Sequence, residues 1–301
     1  MSTVTPPSRT PWPPSPTPRP AVTPPEPTGA LAFLVPTRAA PERSLRALGP
    51  QSLLQARRLL TRWLRDPFTT IQALVYPAVT LVMLWVVLGD SIADATGQDA
   101  LDGLVPMTAL VGTMAGAVAG AVSLMGERDS GLVGRFWVMP VNRAGPIVGR
   151  LLAEMVRILL TTVIIVAVGL LIGFRFDRGL LAGLAMVGMP LLFGLGYSTL
   201  ATAAALYSRR TTFVEMLSLA TTILMFFNTG FVPLDAYPSW LQGPVQYQPM
   251  SCAVDTMKAL AVGGPTLTPL LLLLAWTGGL VVVFGWPAIV GYGRAAGSAR
   301  R

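Results

Sequence analysis

Between residues 127 and 143 the sequence reads Glu-Arg-Asp-Ser-Gly-Leu-Val-Gly-Arg-Phe-Trp-Val-Met-Pro-Val-Asn-Arg, a charged segment between two long apolar runs. The run before it, residues 104–126, has no charged residue, and the run after it begins at Leu151. Each run is long enough to cross a bilayer, which takes about 20 apolar residues in a helix. This charged segment, called the island below, is therefore predicted to join two membrane spans.

The order of charges in the island favours a short helix along the membrane surface. Acids come first (Glu127, Asp129), bases follow (Arg135, Arg143), and Pro140 ends a short apolar segment. The alternative is an ordinary basic loop that reports topology only, because loops rich in Lys and Arg stay on the cytoplasmic side.

The composition predicts a polytopic membrane protein. Of the 301 residues 52% are hydrophobic and only 12% are charged, and the mean hydropathy is +0.60. A soluble domain is about a quarter charged. Topology explains the net charge of +8 better than nucleic-acid binding does, because the 21 arginines flank apolar runs. The preference for Arg over Lys, with much Ala, Gly, Pro and Val, indicates a GC-rich bacterial genome.

The apolar runs predict an all-α membrane protein with six transmembrane helices. The predicted spans are residues 68–88, 104–126, 151–173, 180–206, 213–232 and 267–292. Eighteen arginines fall on one side of these spans, whereas Arg175, Arg178 and Lys258 fall on the other with most of the acids. Both termini and the island are therefore predicted to be cytoplasmic, in the cytoplasmic membrane.

The two ends of the chain are predicted to be tails. Residues 1–36 hold 12 of the 27 prolines, and such a segment buries too little apolar surface to order itself. A disordered cytoplasmic tail over residues 1–50 and a short basic tail over residues 296–301 are expected. A proline-recognition partner is the alternative role for the first.

Residues 52–65 are predicted to form an amphipathic helix in the headgroup layer of the membrane. At 100° per residue its leucines other than Leu54, together with Ala56 and Trp63, fall on one side and its arginines on the other. A packed helix of a soluble subdomain is the alternative. The candidate surface residues are Arg57, Arg58, Leu60, Arg62, Trp63 and Arg65.

Charged side chains within spans are candidate functional groups. Glu154 and Arg157 are three apart and can pair, within about two turns of the start of their span and so roughly 10 Å deep. Glu215 is predicted in the first turn of span five. A structural role for the Glu154–Arg157 pair and a gating or relay role both stay open.

Span two carries glycines at four-residue spacing, which let another helix approach closely. They are Gly112, Gly116 and Gly120. Packing within the subunit, a subunit interface and a pathway wall are all compatible with this pattern. Hydroxyls and an amide in the spans, including Thr222 and Asn228, are candidates to bind cargo, unless they bond their own helix backbones.

The other side of the membrane is predicted to carry the larger loops. Four aspartates, at positions 90, 94, 99 and 102, are predicted in a short loop after span one. The segment 233–265, rich in proline and aromatic residues, is predicted to form short re-entrant or surface helices, with a plain loop as the alternative. Its candidate residues are Pro233, Asp235, Tyr237, Trp240 and Pro249.

Motifs for catalysis are missing. The only lysine, Lys258, lacks the glycines of a nucleotide-binding Gly-x-x-x-x-Gly-Lys loop. A single cysteine, Cys252, excludes a disulfide within the chain, and no histidine is present as metal ligand or base. A transport subunit is therefore favoured over an enzyme. A proton-coupled secondary transporter is disfavoured, because no acid is predicted near the bilayer midplane.

The chain resembles ABC-2 type permeases of the daunorubicin-resistance branch, most of all those of phthiocerol dimycocerosate-type lipid exporters. The resemblance covers about residues 50–295 and lies in Leu60-Thr-Arg-Trp-Leu-Arg-Asp66, Glu127-Arg-Asp-Ser-Gly131, Gly134-Arg-Phe-Trp-Val-Met-Pro-Val-Asn-Arg143, Gly173-Phe-Arg-Phe-Asp-Arg-Gly179, Gly230-Phe-Val-Pro-Leu-Asp-Ala-Tyr-Pro-Ser-Trp-Leu241, Gln248-Pro249 and Ala253-Val-Asp-Thr-Met-Lys-Ala-Leu260.

The resemblance implies a transmembrane domain over residues 51–295 that works with a separate ABC ATPase, which binds the ATP and Mg. It also implies a second permease, a copy of this chain or a sister chain, and an exported lipid, with an anthracycline-like drug as the alternative. Residues 52–65 would be the connecting helix. The implied ATPase-coupling residues are Glu127, Arg128, Asp129, Gly131, Arg135, Pro140 and Arg143.

Overall fold

The computed structural model describes residues 45–130, 142, 144–207 and 212–298. All regular structure in these ranges is helical, as the sequence predicts. The helices are α1 Leu45–Leu64, α2 Pro67–Thr96, α3 Leu101–Asp129, α4 Gly145–Ile172, α5 Gly179–Tyr207, α6 Thr212–Phe226, a 3₁₀ turn Leu234–Ala236, α7 Ser239–Tyr247, α8 Pro249–Ala261 and α9 Leu267–Ser298.

Within the described residues, five helices are long and apolar enough to cross a membrane, namely α2 from Ala73, α3, α4, α5 and α9 up to Tyr292. They correspond to five of the six predicted spans. The remaining one, α6, has a shorter apolar stretch, Glu215–Phe226. Six spans with both termini cytoplasmic therefore stay a prediction.

Helix α3 is the centre of the bundle. It packs against α2, α4, α5, α6 and α8, and more than half of its residues are buried. Leu104, Met107, Leu110 and Met114 are fully enclosed. Small residues between these side chains let the neighbouring helices approach α3 closely.

Several predicted boundaries are wrong, because the helices extend beyond their apolar runs. Helix α2 continues to Thr96, so Asp90 and Asp94 lie on its last turns and not in a loop. Asp102 lies in the first turn of α3. Helix α1 begins at Leu45, so the predicted tail boundary at residue 50 falls inside it.

Helix α8 closes one end of the bundle, which we call the acidic end because the α2–α3 turn lies there too. It packs against α3, α5 and α9, and most of its residues, including Met250 and Met257, are buried. The α4–α5 turn is tied to its last residues: the Asp177 amide donates to the Ala261 carbonyl (3.0 Å). This helix is thus part of the core.

Two glycines allow α3 and the segment after α6 to cross backbone to backbone. A Cβ on Gly103, in the first turn of α3, would overlap the carbonyl oxygen of Gly230. A Cβ on Gly230 would lie 2.9 Å from the Cβ of Met107. Any side chain at either position must push the two segments apart.

We expect Gly103→Ala to lower the free energy of unfolding by about 1–3 kcal/mol, the usual cost of overpacking a tight contact. The measurement is the midpoint of thermal unfolding in detergent. Cys252 is the single cysteine and is buried, so its reaction with a thiol-reactive dye follows the loss of structure.

Gly126→Ala is the matched control, because it lies on the same helix and a Cβ there would meet no atom within 4 Å. Alanine is the better helix former by roughly 1 kcal/mol, so this midpoint should stay or rise. If the midpoint of thermal unfolding falls equally in both variants, the close contact of Gly103 with Gly230 is not the cause of the loss of stability.

Candidate functional site

The carboxylate of Glu127 joins three helices at the other end of the bundle, which we call the arginine-rich end. Glu127 lies in the last turn of α3 and its side chain is only 6% exposed. It accepts hydrogen bonds from Arg62 of α1 (3.2 Å) and from Arg150 of α4 (2.5 Å). Arg150 also donates to the Gly120 carbonyl of α3 (3.1 Å). A buried carboxylate needs such partners, because desolvation of an unpaired charge is costly.

Arg128 holds a fourth helix at the same end. Its Nη1 donates to the carbonyl of Ala205, at the end of α5 (3.0 Å). The last carbonyls of a helix have no partner within it, and a cation there is also favoured by the helix dipole. Glu127 and Arg128 therefore bind other helices of the chain.

Only Asp129 of the predicted ATPase-coupling residues is seen at the surface, with 67% of its side chain exposed. The positions of Gly131, Arg135, Pro140 and Arg143 lie outside the described residues. The prediction that these four contact a partner remains a prediction. Glu127 and Arg128 face inward, so they can act on a partner only through the elements that they hold.

Helix α1 packs on α4 through a contact that the sequence pattern missed. A Cβ on Gly149 would lie 2.6 Å from the Ser52 carbonyl oxygen and 2.7 Å from the Gln55 Cβ. The side chain of Gln51 accepts from the Asn142 amide (2.8 Å), which lies at the end of the island. Helix α1 thus binds the chain on both sides of the start of α4.

Helix α1 contacts the rest of the chain with only part of its predicted apolar face. Ser52 and Ala56 are buried, whereas Leu53 and Leu64, predicted on the apolar face, are exposed. The other candidate residues divide between the faces: Arg57, Arg62 and Arg65 are exposed, and Arg58, Leu60 and Trp63 are half-buried.

The glycine ladder of α3 faces the Glu154–Arg157 pair of α4. A Cβ on Gly116 would lie 2.8 Å from Nη2 of Arg157, and one on Gly120 would lie 3.4 Å from Oε2 of Glu154. Arg157 donates to Glu154. The glycines therefore make room for two charged side chains between packed helices, and Gly112 next to them contacts α4 and α2.

The glycines that face this pair give its position along the bundle. Helix α4 begins at Gly145, so Arg157 lies near the middle of a 28-residue helix. Glu154 faces Gly120 and Arg157 faces Gly116, which are six and ten residues, or about 9 and 15 Å, from the end of the apolar run at Gly126. Glu215, by contrast, is in the first turn of α6 and exposed, where the sequence places it.

A cleft of about 400 Å³ opens between α1, α3 and α4, beside the Glu127 cluster. Arg62 and Trp63 of α1 line it, with Glu154 and Arg157 at its inner wall. Among the described residues, the buried indole Nε1 of Trp63 has no hydrogen-bond acceptor. The cleft therefore presents polar groups next to apolar helix surfaces.

The acidic end collects the remaining candidates around Asn228. Its Oδ1 accepts from the Gly230 amide (2.7 Å), and its carbonyl accepts from the Tyr237 hydroxyl (3.1 Å). These bonds turn the chain after α6. Pro233 precedes the 3₁₀ turn that contains Asp235, and Pro249 begins α8, while Trp240 is exposed. Burial raises the pKa of the Asp255 carboxyl on α8, and Thr229 and Lys258 oppose that rise.

Sequence reasoning missed three residues of the arginine-rich end, Gln51, Gly149 and Arg150. Arg150 was counted only as a topological charge, yet it is the inner partner of Glu127. The sequence feature that could have identified Arg150 is its spacing of four residues from Glu154, which places both side chains on one face of α4. Nothing in the sequence distinguishes Gly149 from the other glycines.

The Glu127 cluster predicts unequal effects for two similar substitutions in α3. Glu127→Gln leaves Arg150, whose side chain is 11% exposed, without a charged partner. We expect it to lower the free energy of unfolding by about 3 kcal/mol. Asp129→Asn makes the same charge change at an exposed position and should stay within about 0.5 kcal/mol.

The check is the thermal midpoint of the two purified variants against the unchanged protein in the same detergent. Cross-linking between cysteines placed on α1 and α4 reads the docking of α1 separately. If Glu127→Gln has the same thermal midpoint as Asp129→Asn, and the cross-link shows that α1 stays docked, the Glu127 cluster does not hold these helices together.

Comparison with known proteins identifies the family. The ABC-2 type transporter family matches residues 51–261. Two relatives, from two strains of Mycobacterium tuberculosis, are each named a probable doxorubicin resistance ABC transporter permease protein DrrC. Both are 41% identical over 264 residues, which is 87% of this chain and 96% of the relative.

A third relative, from Streptomyces coeruleorubidus, is named daunorubicin resistance ABC transporter permease protein DrrB1. It is 27% identical over 248 residues, which is 82% of this chain and 87% of that protein. The match to the family spans more than half of the chain, including α1, the island and the segment up to α8. The chain belongs to the ABC-2 type transporter family, as the permease subunit of an ABC transporter in which a separate subunit supplies the ATPase.

Proposed function

We propose that this permease exports a hydrophobic or amphipathic compound across the cytoplasmic membrane of a bacterium, driven by an ATPase bound at the arginine-rich end. The Glu127 cluster is the observation that carries the proposal. It joins α1 to α3 and α4, the two helices that flank the island in the chain. A displacement of the island by a partner would therefore reach all three together.

The docking surface for the ATPase would be the island itself. Asp129 is exposed at its start, and Asn142 near its end is held by Gln51 of α1. An arginine-bearing segment whose described ends are held by the bundle, through Arg128 and Asn142, suits contact with a partner that moves it. Helix α1 would lie beside the ATPase as the connecting helix.

A second permease, either a copy of this chain or a sister chain, would cover part of the apolar surface. Helices α2 and α9 expose rows of large apolar side chains, among them Val79, Met83 and Val86 on α2 and Val282 and Trp286 on α9. Only 11% of the most apolar window of α9 is buried. Lipid would cover the remainder.

The relatives' names favour an anthracycline-like drug as the exported compound, since both are named for resistance to doxorubicin or daunorubicin. The described spans suit such a cargo. Apart from Glu154 and Arg157 their ionisable groups lie near helix ends. Five hydroxyls bond their own helices: Thr108, Thr113, Thr199, Thr221 and Thr222 each donate to the carbonyl four residues earlier.

An exported lipid is the second candidate, supported by the apolar interior and by the charged cleft beside it. Acyl chains would fit the apolar helix surfaces, and a polar headgroup would meet the Glu154–Arg157 pair. The hydroxyls that bond their own backbones weaken the earlier expectation that they receive the headgroup.

Charge reversal in the island tests the ATPase contact. Arg135→Glu and Arg143→Glu should each weaken binding of the partner ATPase by more than about tenfold, because like charges would then meet across the interface. The measurement is co-purification of the ATPase with the permease. Arg300→Glu is the control, with the same charge change outside the island. Undiminished binding in both island variants would leave the island a topology signal only.

Deletion of the gene tests the cargo. Loss of a drug exporter should make the strain more sensitive to an anthracycline, at least severalfold, and should raise the drug retained in cells. Loss of a lipid exporter should instead remove one surface lipid and leave its precursor inside. In whichever of the two assays the deletion strain shows a defect, a gene copy carrying Glu127→Gln should not correct that defect. A strain unchanged in both assays would contradict export of either class.

A further inference from the structure

The cleft between α1, α3 and α4 requires a polar occupant. Its mouth carries Arg62, its inner wall carries the Glu154–Arg157 pair, and apolar side chains such as Leu60 and Val122 line its sides. Acyl chains alone would leave these charged groups facing hydrocarbon, which is costly. Its volume of about 400 Å³ is in the range of small-molecule sites.

The cleft has more hydrogen-bond donors than acceptors. A guanidinium has five N–H donors. In the described part of the chain Arg62 uses one of them on Glu127, and Arg157 uses one on Glu154. Glu127 and Glu154 already accept from arginine, and Asp66, which also lines the cleft, is not free of partners either. The remaining guanidinium N–H donors suit an anion with many acceptor oxygens. Phosphate is such an anion, and its oxygens match the geometry of a guanidinium.

The surroundings indicate that this anion belongs to a lipid. Val122 on the α3 side of the cleft and Leu64 on α1 are both exposed. Acyl chains attached to the anion could therefore lie along the helices outside the cleft. Arg65, also exposed on α1, raises the positive potential that draws anionic headgroups to this surface.

We propose that the cleft binds the headgroup phosphate of an anionic glycerophospholipid, with Arg62 as its main ligand and Arg157 contributing charge from the inner wall. The bound lipid would join α1 to α3 and α4 in parallel with Glu127. This cleft is also the one proposed above for the headgroup of an exported lipid, so binding is measured on the purified permease, separately from the export assays.

Native mass spectrometry of the full-length permease tests the site. The probes are phosphatidylglycerol, phosphatidylcholine with the same acyl chains, and inorganic phosphate. We expect retention of phosphatidylglycerol over phosphatidylcholine. Arg62→Gln should weaken it about fivefold, the effect of one basic residue at a lipid surface. Ala119→Leu fills the cleft without changing charge and should weaken it at least as much.

Arg57→Gln is the matched control, since it removes the same charge from the same helix but does not line this cleft. It should change binding less than twofold. Equal loss in Arg57→Gln and Arg62→Gln would overturn the site in favour of diffuse surface charge. Equal binding of phosphatidylcholine would overturn the anionic lipid, and displacement by inorganic phosphate would overturn the lipid source. If Ala119→Leu changes the fraction of permease dimer and leaves lipid binding intact, a second copy fills the cleft.

Discussion

The buried carboxylate of Glu127 is the constraint on which the arginine-rich end depends. It lies between a surface arginine, Arg62, and an inner arginine, Arg150, which come from different helices. Removing Glu127 leaves Arg150 without its ion-pair partner where water is scarce, and that is the expensive state for a buried ion. The exposed pair alone would contribute little, since Arg62 is 64% exposed. The buried Glu127–Arg150 pair therefore contributes most of the stability that the cluster provides.

The same end shows what a sequence can and cannot predict. Hydropathy predicts the long spans, because twenty apolar residues in a row have few other structures. It cannot predict where a helix ends beyond its apolar run, so α2 and α4 are longer than predicted. Glu127 was placed correctly next to the membrane but was expected to face a partner. The direction of a side chain depends on neighbouring helices, and a single sequence does not contain their packing.

The Glu154–Arg157 pair changes how the alternatives are judged. The sequence argument against a proton-coupled transporter was that no acid is predicted near the bilayer midplane, and Glu154, the acid of this pair, faces Gly120, six residues from the end of the apolar run. The assignment as a permease comes instead from the family match and the relatives. The glycines opposite the pair explain how it is tolerated, because they let an arginine lie between two packed helices.

The backbone crossing of Gly103 and Gly230 would be the pivot point for any movement of α6 relative to α3. It contains no side chain that could rotate to absorb a displacement, so a movement of α6 against α3 must pivot there. Helix α6 extends about 22 Å from that end, at 1.5 Å per residue over its 15 residues. A tilt of roughly 10° would move its far end by about 4 Å on this geometry. On such a tilt, α6 would move farthest at the arginine-rich end of the bundle and almost not at all at the acidic end.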